Sequence, residues 1–146
     1  LPPSTPYSHQ AVFSARLQAL ADAAAFARGF AELEKLAHDD AMRLALIIEE
    51  LFTNTVQHGY GDETDSPVRI ALGVLEGSVR ILYEDWAPPY DPLARFSAPP
   101  STLEAPVEER PAGGLGQYLI GRLVTSARYA YEDGINRLWL SMRQVA

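Results

Sequence analysis

Seven of the eleven prolines fall between residues 86 and 111, at Pro88, Pro89, Pro92, Pro99, Pro100, Pro106 and Pro111. Each one removes a backbone donor and fixes φ at about −65°, so no long helix or central strand runs through this stretch. The chain is thereby split into two blocks, and each must complete its own regular elements. A long irregular connection inside a domain is usually a lid, a binding loop or a disordered segment.

The first block predicts five elements. Phe13, Ala15 and Leu17 alternate with more polar neighbours, which predicts a strand over His9 to Leu17. From Gln18 to about Leu36 the composition turns alanine-rich, with Ala23, Phe26, Ala27, Phe30 and Leu33 at helical spacing. The Phe26/Phe30 pair reads as core. A second helix from about Asp40 carries Leu44, Ile47, Ile48, Leu51 and Thr55 on one stripe. Glu50 and Asn54 stand four residues apart, one turn above the other beside that stripe. A carboxylate and an amide so placed are partly dry and need partners, in the protein or in a ligand. Gly59 is expected to end the helix as a left-handed cap. Residues 59–67 read as a polar loop. Two alternating strands follow, Val68 to Val74 and Val79 to Tyr83, joined at Glu76-Gly77-Ser78 and running into Asp85.

The second block opens with Gly113-Gly114-Leu115-Gly116. A short helix follows, with Leu119, Ile120, Leu123 and Val124 on one face. A hairpin over Ala127 to Met142 turns at Asp133-Gly134. The order β-α-α-β-β-loop-α-β-β segregates helices from hairpins. That predicts an α+β fold, a mixed, mainly antiparallel sheet with helices on one face.

A length of 146 residues suits one domain, expected over residues 9–146. Residues 1–8 lack the charged and apolar regions of a signal peptide and are expected to be disordered or tag-like. The absence of cysteine excludes disulfides, thiolate metal sites and cysteine nucleophiles. His9, His38 and His58 have no ligand-like spacing. A formal charge of −7 argues against a nucleic-acid surface, which needs basic residues to neutralise phosphates. No apolar run approaches the ~18 residues of a membrane span, so no membrane association and a cytoplasmic location are expected.

The stretch Glu50 to Tyr60, E-L-x-x-N-x-x-x-H-G-Y, resembles the Asn box of the Bergerat-fold ATPases, the superfamily of histidine kinases and gyrase B. Within it, the pattern is most similar to the bacterial anti-sigma-factor serine kinases. The resemblance covers roughly Phe13 to Met142. It implies an ATP- and Mg²⁺-dependent kinase that sequesters a sigma factor and phosphorylates a STAS-type anti-anti-sigma protein on serine, commonly as a homodimer.

The resemblance also assigns roles. Asn54 is implied as the Mg²⁺ ligand, consistent with an ion that binds few protein oxygens beside substrate phosphates. Glu50 is the implied general base for the serine hydroxyl. His58 and Gly59 extend the motif, with His58 either structural or at the phosphate edge. Asp85 is the implied acceptor for the adenine amino group, an acceptor-only carboxylate against an exocyclic amine. Ala87 stands where the family has the glycine of D-x-G, and Tyr90-Asp91-Pro92 resembles its F-D-P. Gly113, Gly114, Leu115 and Gly116 match a second glycine box, whose main-chain N–H groups face phosphates. Arg110, in an ATP lid at about 93–112, is a candidate for the terminal phosphate, and Asn136 falls where a polar residue faces adenine.

Read without the resemblance, Asn54 is also compatible with a helix surface, Asp85 with a turn cap, and the glycines with a flexible turn. Two other functional readings stand beside the kinase. One is a catalytically idle nucleotide-binding module that only sequesters a partner, suggested by Ala87 and the prolines. The other is a detached histidine-kinase catalytic domain, which the His-Gly-Tyr continuation disfavours.

Overall fold

The computed structural model describes residues 6–97 and 114–145. Its elements are β1 (His9–Ser14), α1 (Leu20–Leu33), α2 (His38–Asn54), β2 (Pro67–Leu75), β3 (Ser78–Asp85), α3 (Leu93–Ser97), α4 (Gly114–Leu123), β4 (Ser126–Glu132) and β5 (Ile135–Arg143). A 3-10 turn, Leu17–Ala19, leads into α1, and a π-helical turn, Thr55–Gly59, closes α2. The order is the expected one with α3 added.

The strands form one sheet, β1-β2-β3-β5-β4, and every neighbouring pair is antiparallel. The expected parallel component is absent from these pairs because the second hairpin joins through β5, which runs against β3. Both hairpins turn on two residues, since Leu75 opposes Ser78 and Glu132 opposes Ile135. Glu76 and Gly77 have φ of 53° and 77°, and Asp133 and Gly134 have 57° and 79°. Positive φ at both central residues is the type I′ turn, whose twist matches that of the strands.

One sheet face is apolar. Val68, Ile70, Leu72, Val79, Ile81, Leu138, Leu140 and Met142 are buried there with Phe30 of α1, Leu44, Ile47, Ile48 and Leu51 of α2, and Ile120 of α4. Each such side chain contributes roughly 1.5–3 kcal/mol by leaving water. On the other face, Glu84 accepts from Arg69 Nε at 2.7 Å and Arg137 Nε at 2.8 Å. These are its directly opposed neighbours on β2 and β5.

Several expectations are corrected. Residues 6–8 belong to the fold. Ser8 N–H donates to Leu72 O at 2.9 Å, and a Cβ on Gly73 would meet Pro6 O at 1.7 Å. Leu17 is 43% exposed because β1 ends at Ser14 and the chain turns away. Leu33, the last residue of α1, and Leu119 on α4 are exposed as well. Gly59 is not a left-handed cap. Tyr60 N–H reaches back five residues to Thr55 O at 2.8 Å, and the wider turn moves the positive-φ glycine to Gly61, with φ of 87°.

The start of the proline-rich stretch is ordered. Asp91 caps α3, its carboxylate accepting from Leu93 N–H at 2.9 Å. Phe96 is buried, and a Cβ on Gly121 would lie 1.8 Å from Phe96 O, so α3 lies directly on α4. Residues 98–112, most of the expected lid, lie outside the described residues.

Candidate functional site

The end of α2 carries the site. Its apolar stripe faces the core, which turns Asn54 inward and leaves Glu50 half-buried one turn earlier. Asn54 is 5% exposed, and its Oδ1 has no hydrogen-bond partner among the described residues. A buried acceptor without a partner costs about 1–3 kcal/mol, which a bound cation or donor recovers.

Glu50 meets the second block of the chain. A Cβ built on Gly116 would lie 1.9 Å from Glu50 Oε2, so only a glycine lets this carboxylate rest on the first turn of α4. That turn carries the positive partial charge of a helix N-terminus. Burial, and secondly the charge of Glu49, raise the Glu50 pKa. The Asn-box helix and the second glycine box therefore meet at Glu50 and Gly116.

Asp85 closes the other end. It is 1% exposed and accepts four donors. Thr55 Oγ1 donates at 3.0 Å and Tyr90 Oη at 3.0 Å to Oδ2, while Asn136 Nδ2 at 2.9 Å and Ala87 N–H at 3.2 Å reach Oδ1. The π-helical turn matters here. It aims Thr55 at Asp85 and sets Gly59 where a Cβ would be 3.4 Å from both Ala87 Cβ and Tyr90 Cε1. Burial, and then the Asp85 charge, raise the Tyr90 pKa, so its hydroxyl stays a neutral donor.

Two expectations change in consequence. Asp85 does not offer a free carboxylate, because the Tyr90 hydroxyl holds Oδ2. Asn136 does not face open space. Its Nδ2 also donates to Ala87 O at 3.0 Å and Pro88 O at 3.2 Å, while its Oδ1 accepts from Tyr90 N–H and Tyr129 Oη. With their backbone turned by proline, residues 87–90 have no strand partner, and the Asn136 amide supplies one.

Between Asn54 and Asp85 lies a cavity lined by Leu51, Asn54, Tyr83, Asp85, Tyr90, Pro92, Gln117, Tyr129, Asn136 and Leu138. It holds about 20 Å³, room for one water molecule. A single oxygen with no partner among the described residues, one turn from a half-buried carboxylate, suits a hard cation. The Asp85 end is filled by Tyr90 and takes a planar ring only once that side chain has moved.

The structure thus brings Asn54, Asp85 and Asn136 to one cavity, with Gly59 against Ala87 and the cavity-lining Tyr90, and Glu50 against Gly116, the neighbour of cavity-lining Gln117. His58 and Leu115 point to the surface. Gly114 opens α4 as its first residue. Arg110 and Gly113 lie outside the described residues. Gln117 escaped the sequence reading, although it is fully buried and neither amide atom has a partner among the described residues. The signal was there: Gln117 precedes Ile120 by three residues and Val124 by seven, an amide inside an apolar stripe.

A family model described as the histidine kinase-like ATPase domain matches residues 13–142. The serine-protein kinase RsbW of Bacillus cereus (strain AH187) is 31% identical over 111 residues, covering 75% of this chain and 69% of that protein. RsbW of Bacillus thuringiensis (strain Al Hakam) is 30% identical over the same length. Among solved structures, the RsbU and RsbW domains of Rv1364c from Mycobacterium tuberculosis superpose with a TM-score of 0.63 at 20% identity, over 96% of this chain. This chain spans about a third, 32%, of that longer one. The SiaB–SiaC complex from Pseudomonas aeruginosa gives a TM-score of 0.62 at 13% identity, over 94% of this chain and 90% of that one. These two likenesses speak for the fold. With its Asn box, its antiparallel α+β fold and its sequence relatives in agreement, the chain belongs to the histidine kinase-like ATPase family, on the branch of the RsbW serine-protein kinases.

Proposed function

We propose that the protein is an ATP-dependent protein-serine kinase and anti-sigma factor, which holds a sigma factor inactive and phosphorylates a STAS-type anti-anti-sigma protein on serine. The observation that carries this reading is the meeting of Glu50 with Gly116 one turn from the unpartnered Asn54 Oδ1. When bound, Mg²⁺ and ATP supply the phosphoryl group and most of the charge that must be balanced.

The chain's own residues do the rest. Asn54 Oδ1 would be the one protein ligand of the ion. The first turn of α4, from Gly114, with Gly113 before it, would present N–H groups to phosphate oxygens, and Arg110 would add a cation. Glu50 would take the proton from the partner's serine hydroxyl. Its raised pKa brings it nearer to working pH, where a general base is most effective. New phosphate charge on the antagonist would then break its contact with the kinase and free the kinase to recapture the sigma factor. A homodimer and a role in transcription belong to the same proposal.

The test is transfer of labelled phosphate to serine of a STAS partner. Glu50→Gln is expected to reduce transfer at least ~100-fold, the scale of general-base catalysis, while ATP still binds. Equal transfer by both proteins removes Glu50 from this role.

The Tyr90 hydroxyl on Asp85 favours a second reading, a module that sequesters its partner without catalysis. Sigma-factor binding with no nucleotide binding under any condition selects that reading.

A further inference from the structure

Among the described residues, Gln117 has two buried polar side-chain atoms without a hydrogen-bond partner, Oε1 and Nε2, and it is 0% exposed. Buried amides are ordinarily satisfied, because each unmet group costs free energy. Met or Leu would fill the same space on this apolar helix face at no such cost.

The surroundings say what the amide faces. Gln117 lines the cavity that holds Asn54, Asp85 and Asn136, with Leu51 and Leu138 as apolar walls. Its neighbour Gly116 meets the Glu50 carboxylate, and Gln117 itself shares the cavity lining with Asn54 and Asp85. Apolar walls with a few converging polar groups are the pattern of a small-molecule site. A glutamine amide offers one acceptor and a two-proton donor on a flat group. The edge of a purine, with a ring nitrogen beside an exocyclic amine, is its complement.

We propose that Gln117 is a base-reading residue of this site: its amide pairs with the polar edge of an adenine nucleotide that enters as Tyr90 leaves Asp85. The proposal rests on the nucleotide-dependent reading above and adds a specificity-determining residue to it. In the free protein the amide has no partner among the described residues, and on binding it gains its partners. Discrimination of this kind is strong because a ligand without the matching edge leaves the buried amide unpaired.

The test uses the whole chain with Gln117→Met, an unbranched side chain of similar length, and Gln117→Leu. Thermal melting is measured without nucleotide, and calorimetric affinity with ADP and with GDP in Mg²⁺. Both variants are expected to melt above the wild-type protein, to bind ADP at least tenfold more weakly, and to lose much of the preference for ADP over GDP. Variants that bind ADP as tightly as the wild-type protein overturn the proposal. So do variants that melt lower at unchanged affinity, because the amide is then satisfied by a structural water. If the wild-type protein itself binds no nucleotide, the nucleotide-dependent reading falls first, which is a distinguishable result.

Discussion

Asn54 and Tyr90 mark the two ends of one site, and they show opposite states of satisfaction. Among the described residues Asn54 Oδ1 lacks a partner, whereas the Tyr90 hydroxyl occupies the Asp85 carboxylate. Tyr90→Phe keeps the ring and removes one of the two donors on Asp85 Oδ2, leaving Thr55 Oγ1. It is expected to lower folding stability by about 1 kcal/mol, the worth of one hydrogen bond, and to tighten ADP binding roughly fivefold. Calorimetry and urea titration check the two together, and weaker binding would show that the hydroxyl helps the ligand. Glu50 gives a pH prediction. Burial and the Glu49 charge raise its pKa, so the base form is lost at a higher pH than for an exposed glutamate. Phosphotransfer should fall as pH drops through that raised value, and Glu49→Gln should move the acid limb to lower pH by removing a like charge. A pH–rate profile decides it, and an unmoved limb argues that Glu50 is not the group being titrated.

How much was legible in the sequence depends on the kind of element. Glu50 and Asn54 were visible because a helix puts residues four apart on one face, whatever surrounds them. Gly59 was misread because the apolar spacing assumes an unbroken α-helix, and the π-helical turn inserts a residue that leaves no periodic trace. Ala87 was visible as a departure from D-x-G, but its neighbour Tyr90 was not visible as the occupant of the base end. That contact spans a proline-turned segment, which no periodicity describes. The turn itself is testable. Thr55 Oγ1 lies 2.7 Å from Tyr83 Oη and donates to Asp85. Thr55→Val keeps the shape and removes one buried hydrogen-bond partner each from Tyr83 and Asp85, which keep Leu51 O and Tyr90 Oη respectively, so it is expected to cost about 1 kcal/mol. A urea midpoint equal to the wild type would show that the π-helical turn does not depend on this hydroxyl.

Across the whole molecule, the proline-rich stretch separates two blocks that the sheet rejoins. The seam is β3 against β5, and Glu84 lies on it between Arg69 and Arg137. Burial alone would raise the Glu84 pKa, but hydrogen bonds from Arg69 and Arg137 outweigh it and lower the net value. A lowered folded pKa stabilises the fold fully above the unfolded value, about 4.3 for glutamate, and that contribution is lost as pH falls through the folded value. Urea midpoints between pH 6 and pH 3 should fall less steeply in Glu84→Gln than in the wild-type protein. Equal slopes would place the acid sensitivity elsewhere. The same seam brings the Asn-box helix against α4, so the site depends on the joining of both blocks.

Calorimetric titration with ADP and with a non-hydrolysable ATP analogue, with and without Mg²⁺, beside Asn54→Ala, decides whether Asn54 holds the metal of a bound nucleotide. The expected result is Mg²⁺-dependent binding to the intact protein that Asn54→Ala loses. Binding that ignores both the metal and the mutation would contradict it.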